Sequence, residues 1–191
     1  MTSKKLMKLI VLALMGTISL ILFFISFPLP VLPDYLKVDF SDVPALIMSF
    51  VFSPAAGVLV IAIKNGLYLL ISGSAEPVGV TANFLAGTLF VVPVSFFYHK
   101  YKHKGIKGII AGLGVSTIIT AFGMSILNYF LILPAYGFFM GWEMTQQFKW
   151  ISVVAGILPF NLIKGLIVSA LFIPLYIKMR HWIGQRQSKL A

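Results

Sequence analysis

Cysteine is absent from all 191 residues. That excludes disulfides, thiolate nucleophiles and Cys-based metal sites. Acidic residues are nearly absent as well, with five Asp and Glu against fifteen Lys and Arg. Charged residues of both signs reach only 10%, where a soluble domain averages about 25%. Three signatures are also missing: the nucleotide-binding G-x-x-x-x-G-K-[ST] loop, a His-Glu-x-x-His metal motif and a Gly-x-Ser-x-Gly nucleophile elbow. Their absence argues against a nucleotide-driven motor, a metalloprotease and an elbow hydrolase within this chain. The three histidines, His99, His103 and His181, all lie in basic segments, apart from the acids.

What is present is apolar: 59% of residues are hydrophobic. The expectation is an all-α integral-membrane protein, with residues 1–191 forming one domain. The net charge of +10 would point to nucleic acid in a soluble chain. In a membrane chain it is first a topology signal, and no nucleic-acid partner is expected. Lys4, Lys5 and Lys8 precede the first apolar run, but Pro28-Leu29-Pro30 follows it rather than a small-residue cleavage site. The run therefore reads as a span, not a removed leader.

Six spans are predicted. They cover about Leu6–Phe27, Val43–Phe52, Ala55–Ser72, Gly79–Tyr98, Ile106–Leu133 and Phe148–Ile177. Ser53-Pro54 breaks the second apolar stretch, because proline cannot continue a helix without losing a hydrogen bond. Span 2 then has only about ten residues, or ~15 Å, and its turn must be buried in protein. Six spans place both termini on one side, with eleven basic residues: three before span 1, four in 100–107 and four in the tail. All five acids, Asp34, Asp39, Asp42, Glu76 and Glu143, fall on the other side. The termini are therefore expected in the cytoplasm of a multi-pass cell-membrane protein.

The polar segment Pro33–Pro44 holds three of the five acids. Between two spans such a segment is a connector or the lid of a site, and the lid is taken as residues 28–42. Two lysines, Lys64 and Lys164, sit near mid-span. Such a placement costs ~2.5–3.5 kcal/mol on insertion scales and calls for a partner or a wet cavity. Asn161 shares a helix face with Lys164, three residues on, just after Pro159. Ser116, Thr120, Met124 and Asn128 recur every fourth residue along span 5, and Asn83 stands alone in span 4. Intramembrane amides either join helices or form the few polar points of an apolar ligand pocket. Small residues recur in span 1, at Ala13, Gly16 and Thr17, and permit close helix contact inside the chain or with a partner.

The segment Leu36-Lys37-Val38-Asp39-Phe40-Ser41-Asp42-Val43-Pro44-Ala45-Leu46, then Ser53-Pro54-Ala55-Ala56-Gly57 and Ile63-Lys64-Asn65, resembles the substrate-binding S components of energy-coupling factor (ECF) vitamin transporters. The resemblance is closest to the riboflavin-specific type and covers essentially the whole chain. It implies a non-enzymatic subunit that captures riboflavin as transported ligand from the outer face and needs no cofactor or metal. It also implies a transmembrane scaffold and two cytoplasmic ATPases as partners within the lipid membrane. Asn128, Asn161 and Lys164 match positions that would hydrogen-bond the polar edge of the isoalloxazine ring. Asp39, Phe40 and Ala45 would lie in or beside the lid, with Tyr35, Trp142 and Phe148 as aromatic neighbours. Asn83 and Lys64 complete the candidate set. One departure concerns the scaffold contact, linked in the family to Ala-x-x-x-Ala: here Thr17 follows Ala13 in place of the second alanine. The alternatives are another vitamin on the same fold, a self-sufficient small carrier, or an intramembrane enzyme built on Lys64 or Lys164 with a nearby serine.

Overall fold

The pillar of the bundle is its shortest membrane helix. In the computed structural model, which describes residues 3–72, 77–141 and 143–190, α2 (Asp42–Val51) has all ten of its residues buried. Its sequence is apolar on every face, the pattern of a helix with no solvent side. It is enclosed by α1 (Ser3–Phe24), α3 (Pro54–Ile71), α4 (Pro77–Lys100) and α8 (Leu158–Leu190). Five longer helical segments are apolar enough to cross a membrane, and α2 is the sixth, short one.

A helix that stops inside a bundle leaves carbonyls without partners. Here side chains from other helices satisfy them. Ser95 Oγ donates to the Ser49 carbonyl at 3.1 Å, and His99 Nε2 reaches the same oxygen at 3.0 Å. Gln187 donates to the Phe50 carbonyl. Ser53 then caps α3 by accepting from the Ala56 amide, with Pro54 at the first helical position. The expected break at Ser53-Pro54 is present. Gly57 allows the return helix to lie close: a Cβ there would come within 2.7 Å of Ser49 and Val91 side chains.

The connector from α1 to α2 forms a small ribbon in which β1 (Phe27–Pro28) pairs antiparallel with β2 (Lys37–Val38). α4 runs on through Pro93 and leads by a 3₁₀ turn (Lys102–Lys104) into α5 (Ile106–Leu127).

Two departures from the expected spans lie at the end of span 5 and the start of span 6. Helical structure continues past Leu133 through α6 (Leu133–Met140), and α7 (Gln146–Ile151) starts the last span early. Residues 134–140 are therefore helical rather than loop. A π-helical turn precedes each proline, π1 at Asn128–Ile132 and π2 at Ser152–Ile157. In each, the closing amide reaches five residues back, Leu133 to the Asn128 carbonyl and Leu158 to the Val153 carbonyl. The next residue is Pro134 or Pro159, which has no N–H to leave stranded. The wider turn lets the helix pass its proline, and such turns concentrate at functional sites.

The basic tail is likewise helical. Phe50 touches both the Phe172 ring, at 5.4 Å, and Gln187. α8 runs on through Pro174 and places part-buried Gln187 beside the Phe50 carbonyl, with Ile183 buried one turn before it. The first turns of α1 and the last turns of α8 share one end of the bundle, since Met7 and Trp182 line the same groove. The turn expected at 72–77 falls largely on residues 73–76, outside the described residues.

Candidate functional site

Two buried lysines require two counter-charges, and the connector supplies them. Lys164, on α8, donates from Nζ to Asp39 Oδ2 at 2.7 Å. Lys64, on α3, donates to Ser41 Oγ at 2.8 Å and stands 3.8 Å from Asp42 Oδ1. Ser41 links the halves: its amide donates to Asp39 Oδ1 at 2.9 Å, and its hydroxyl donates to the same oxygen. Ser19 of α1 holds the segment from the far side by donating to the Ser41 carbonyl. Asp39, Ser41, Asp42 and Lys64 are all at or below 5% exposure. The result is a neutral cluster of two cations and two anions inside the bundle, the condition under which buried charge is tolerated.

Burial alone would raise the Asp39 carboxyl. The ammonium groups of Lys164 and Lys64, with the hydrogen bonds from Lys164 and Ser41, outweigh it and hold the group at about 2. Asp39 is therefore a carboxylate at any ordinary pH.

Beside this cluster lies a narrow cleft, with a cavity volume of about 20 Å³, lined by Asp42, Ala86, Phe90, Thr120, Asn161 and Lys164. Its α8 wall also contains Gly165, where a Cβ would fall 2.6 Å from the Thr117 side chain, so glycine sets the α5–α8 spacing. Thr120 Oγ1 is buried without a hydrogen-bond partner. Asn161 and Asn128 are nearly fully buried, and each donates from Nδ2 to the carbonyl four residues back, Ile157 and Met124, at 2.8 Å. That bond fixes each amide along its own helix, leaving the carboxamide oxygen as its remaining acceptor. Asn128 opens π1 and is not among the residues lining the cleft, whereas Asn161, which lines it, bonds to the residue that closes π2. Above them Leu36 of the connector packs on Met124, Val153 and Ile157. An apolar floor of aliphatic side chains thus meets a small polar group near the connector.

The structure brings Asp39, Lys164, Asn161 and Lys64 into one neighbourhood. Lys64 is wholly buried as an anchor of the connector and does not line the cleft. Phe40 is half-buried, with its ring 6.3 Å from Phe27. Ala45 is buried in the core on α2, one turn below Asp42. Asn83 is half-buried with its amide oxygen unpartnered. Tyr35 and Phe148 are exposed, at 63% and 47%. Trp142 lies outside the described residues. In α1, Gly16 is filled by Ile63 of α3, whereas Ala13 and Thr17 are exposed. Gly16 therefore serves packing within the chain.

Ser41, Asp42 and Thr120 were not among the sequence candidates for the site. A signal existed for Asp42. Two mid-span lysines need two counter-ions, and the only closely spaced pair of acids is Asp39 and Asp42. Thr120 was visible only as one hydroxyl of a polar stripe.

The family described as ECF transporter, substrate-specific component, matches residues 7–176. The riboflavin transporter FmnP of Bacillus subtilis (strain 168) is 46% identical over 187 residues, 96% of this chain and 97% of that one. The riboflavin transporter RibU of Staphylococcus aureus (strain TCH60) is 42% identical, covering 92% of each chain. A solved S component of a bacterial ECF transporter superposes with a TM-score of 0.80 at 41% identity, covering 94% of this chain and 98% of the other.

Proposed function

The chain belongs to the family of substrate-specific components of ECF transporters, and from that premise we propose that it is the riboflavin-binding subunit of a vitamin uptake transporter. The observation that carries the proposal is the meeting of Asn161 and Lys164 in one cleft with a connector clamped over it by Asp39. A flat heteroaromatic ring needs an apolar slot with few donors and acceptors at its edge. Lys164 and the amides of Asn128 and Asn161 supply that edge, and Leu36, Met124 and Ile157 supply the slot. Thr120 offers a free hydroxyl to a polyol chain.

The cleft as it stands has a cavity volume of only about 20 Å³, far below the ~300–1,000 Å³ usual for small-molecule pockets. Capture therefore involves movement of the connector, with Leu36 and Asp39 yielding as ligand enters. Residues 28–42 act as the lid, the termini face the cytoplasm, and Ala13 and Thr17 present the α1 face to a scaffold subunit. The scaffold and two ATPases supply the energy for release, and this subunit performs binding rather than catalysis. The test is fluorescence titration of purified protein with riboflavin. Quenching at one site per chain is the expected result, and folded protein that leaves flavin fluorescence unchanged would overturn the assignment. A panel of other vitamins in the same assay separates riboflavin from its alternatives.

A further inference from the structure

A second recess lies at the opposite end of the bundle, where the two termini meet. It has a cavity volume of about 220 Å³ between α1, α2 and the C-terminal end of α8. Its floor is buried Met48 and Val51, and its walls include Val11 and exposed Met7 and Trp182. The groove is thus apolar along its length and open at the side where lipid would lie.

Its rim is cationic. Arg186 lines it and lies 5.6 Å from the Trp182 ring, while Lys8 Nζ stands 5.0 Å from the ring of Phe52, another wall residue. Neither has a carboxylate partner among the described residues. The four described acids lie elsewhere: Asp34, Asp39 and Asp42 in or beside the connector, and Glu143 between α6 and α7. Lys178 and Arg180 add positive charge about two turns earlier on α8. That segment also carries buried Ile183 and half-exposed Trp182, the composition of a helix lying in a membrane interface. Basic pockets between spanning helices on such a face hold anionic lipid headgroups.

We infer that this groove is a binding site for one anionic phospholipid of the adjoining leaflet, with an acyl chain along Met48 and Val51 and its phosphate between Lys8 and Arg186. Zwitterionic phosphatidylcholine carries the same phosphate but brings a compensating ammonium to a cationic rim, and inorganic phosphate lacks the chain. Each should therefore bind far more weakly.

The test titrates dioleoylphosphatidylglycerol, dioleoylphosphatidylcholine and inorganic phosphate separately into the detergent-solubilised full chain. Retained adducts are read by native mass spectrometry and stability by thermal unfolding. One retained phosphatidylglycerol and a selective rise in Tm are expected. Lys8→Gln and Arg186→Gln should each weaken binding on the order of five-fold, and together about thirty-fold. Met7→Trp should block the groove from α1 without altering the rim charge, and Lys107→Gln, an exposed lysine outside the groove, should change nothing. Riboflavin binding checks that each variant is folded. Equal stabilisation by both phospholipids, or equal loss in the Lys107 variant, would overturn the site in favour of diffuse attraction. So would unaltered lipid retention in groove variants that no longer co-purify with a partner transport subunit, which would make this a protein-docking surface.

Discussion

Replacing Lys164 by Met removes its charge at nearly constant length, and the structure sets the cost. Asp39, 2% exposed at its side chain, loses the ammonium at 2.7 Å. It keeps Ser41, and through it Lys64. Breaking a buried pair on one side costs ~3–5 kcal/mol, and the surviving Ser41–Lys64 arm places this case near ~3 kcal/mol. At ~2–4 °C per kcal/mol for a chain of this size, Tm should fall by about 6–12 °C. Asp39→Asn should cost somewhat less, because the Lys164 side chain keeps 13% exposure and can hydrate.

The double variant is the decisive member. Removing both charges leaves nothing buried and unpaired between these two positions, so most of the lost stability should return, with a coupling energy of ~2 kcal/mol or more. Ligand affinity should not return. If Lys164 donates to the flavin edge, its loss removes a charged hydrogen bond worth ~1.5–3 kcal/mol, roughly ten- to a hundred-and-fifty-fold in Kd. Thermal unfolding in detergent reads the first quantity and flavin fluorescence quenching the second. Additive stability losses would show that the pair is not coupled. Affinity restored in the double variant would show that Lys164 acts on binding only by holding the lid.

Asn161→Leu and Asn128→Leu should each weaken riboflavin binding by about two- to ten-fold through a lost neutral hydrogen bond, whereas Asn83→Ala should change it little; fluorescence titration of the three separates pocket amides from a packing amide. Gly165→Ala should force α5 and α8 apart at ~1–3 kcal/mol, visible as a lower Tm, and Thr117→Ala should partly rescue it by removing the two atoms 2.6 Å from the new methyl. The Asp39 carboxyl sits at about 2 against its usual 3.8, so its contribution is present above pH ~4 and lost as pH falls toward 2. At ~1.4 kcal/mol per unit, Tm should drop by the equivalent of roughly 2–3 kcal/mol over that window, and Asp39→Asn should flatten this part of the profile.

Much of the architecture was readable because lipid imposes a simple rule: long apolar runs cross, and charge marks the ends. The short α2 could be placed from one Ser-Pro break, since nothing else ends an apolar helix so abruptly. Its capping was not readable. His99, Ser95 and Gln187 are far from Ser49 and Phe50 in sequence, and only the fold brings them to those carbonyls. The proline at 134 misled, whereas the predicted last span already ran through Pro159. Proline normally ends a helix, and no local signal announces that a π-turn will carry the chain past it. At the candidate site, intramembrane polarity singled out Asn128, Asn161 and Lys164, of which Asn161 and Lys164 line the cleft. It could not separate Lys164 from Lys64, because insertion cost is the same for a lysine that faces a ligand and one that anchors a loop.

That difference between the lysines is where the site acquires its logic. Lys64 is enclosed, bonded to Ser41 and close to Asp42, so it ties the root of the connector to α3 whatever occupies the cleft. Lys164 lines the cleft and also holds Asp39. A ligand acceptor that approaches Lys164 must share or displace the Asp39 bond, so occupancy and lid position cannot be independent. If Asp39 is displaced, Lys64 still neutralises it through Ser41, which limits the cost of opening to one charged hydrogen bond rather than a stranded carboxylate. A chain with only one buried lysine would lose its counter-charge whenever the lid moved. On the proposed lid reading, two lysines on different helices, joined through Ser41, would let the connector shift while the interior stays neutral.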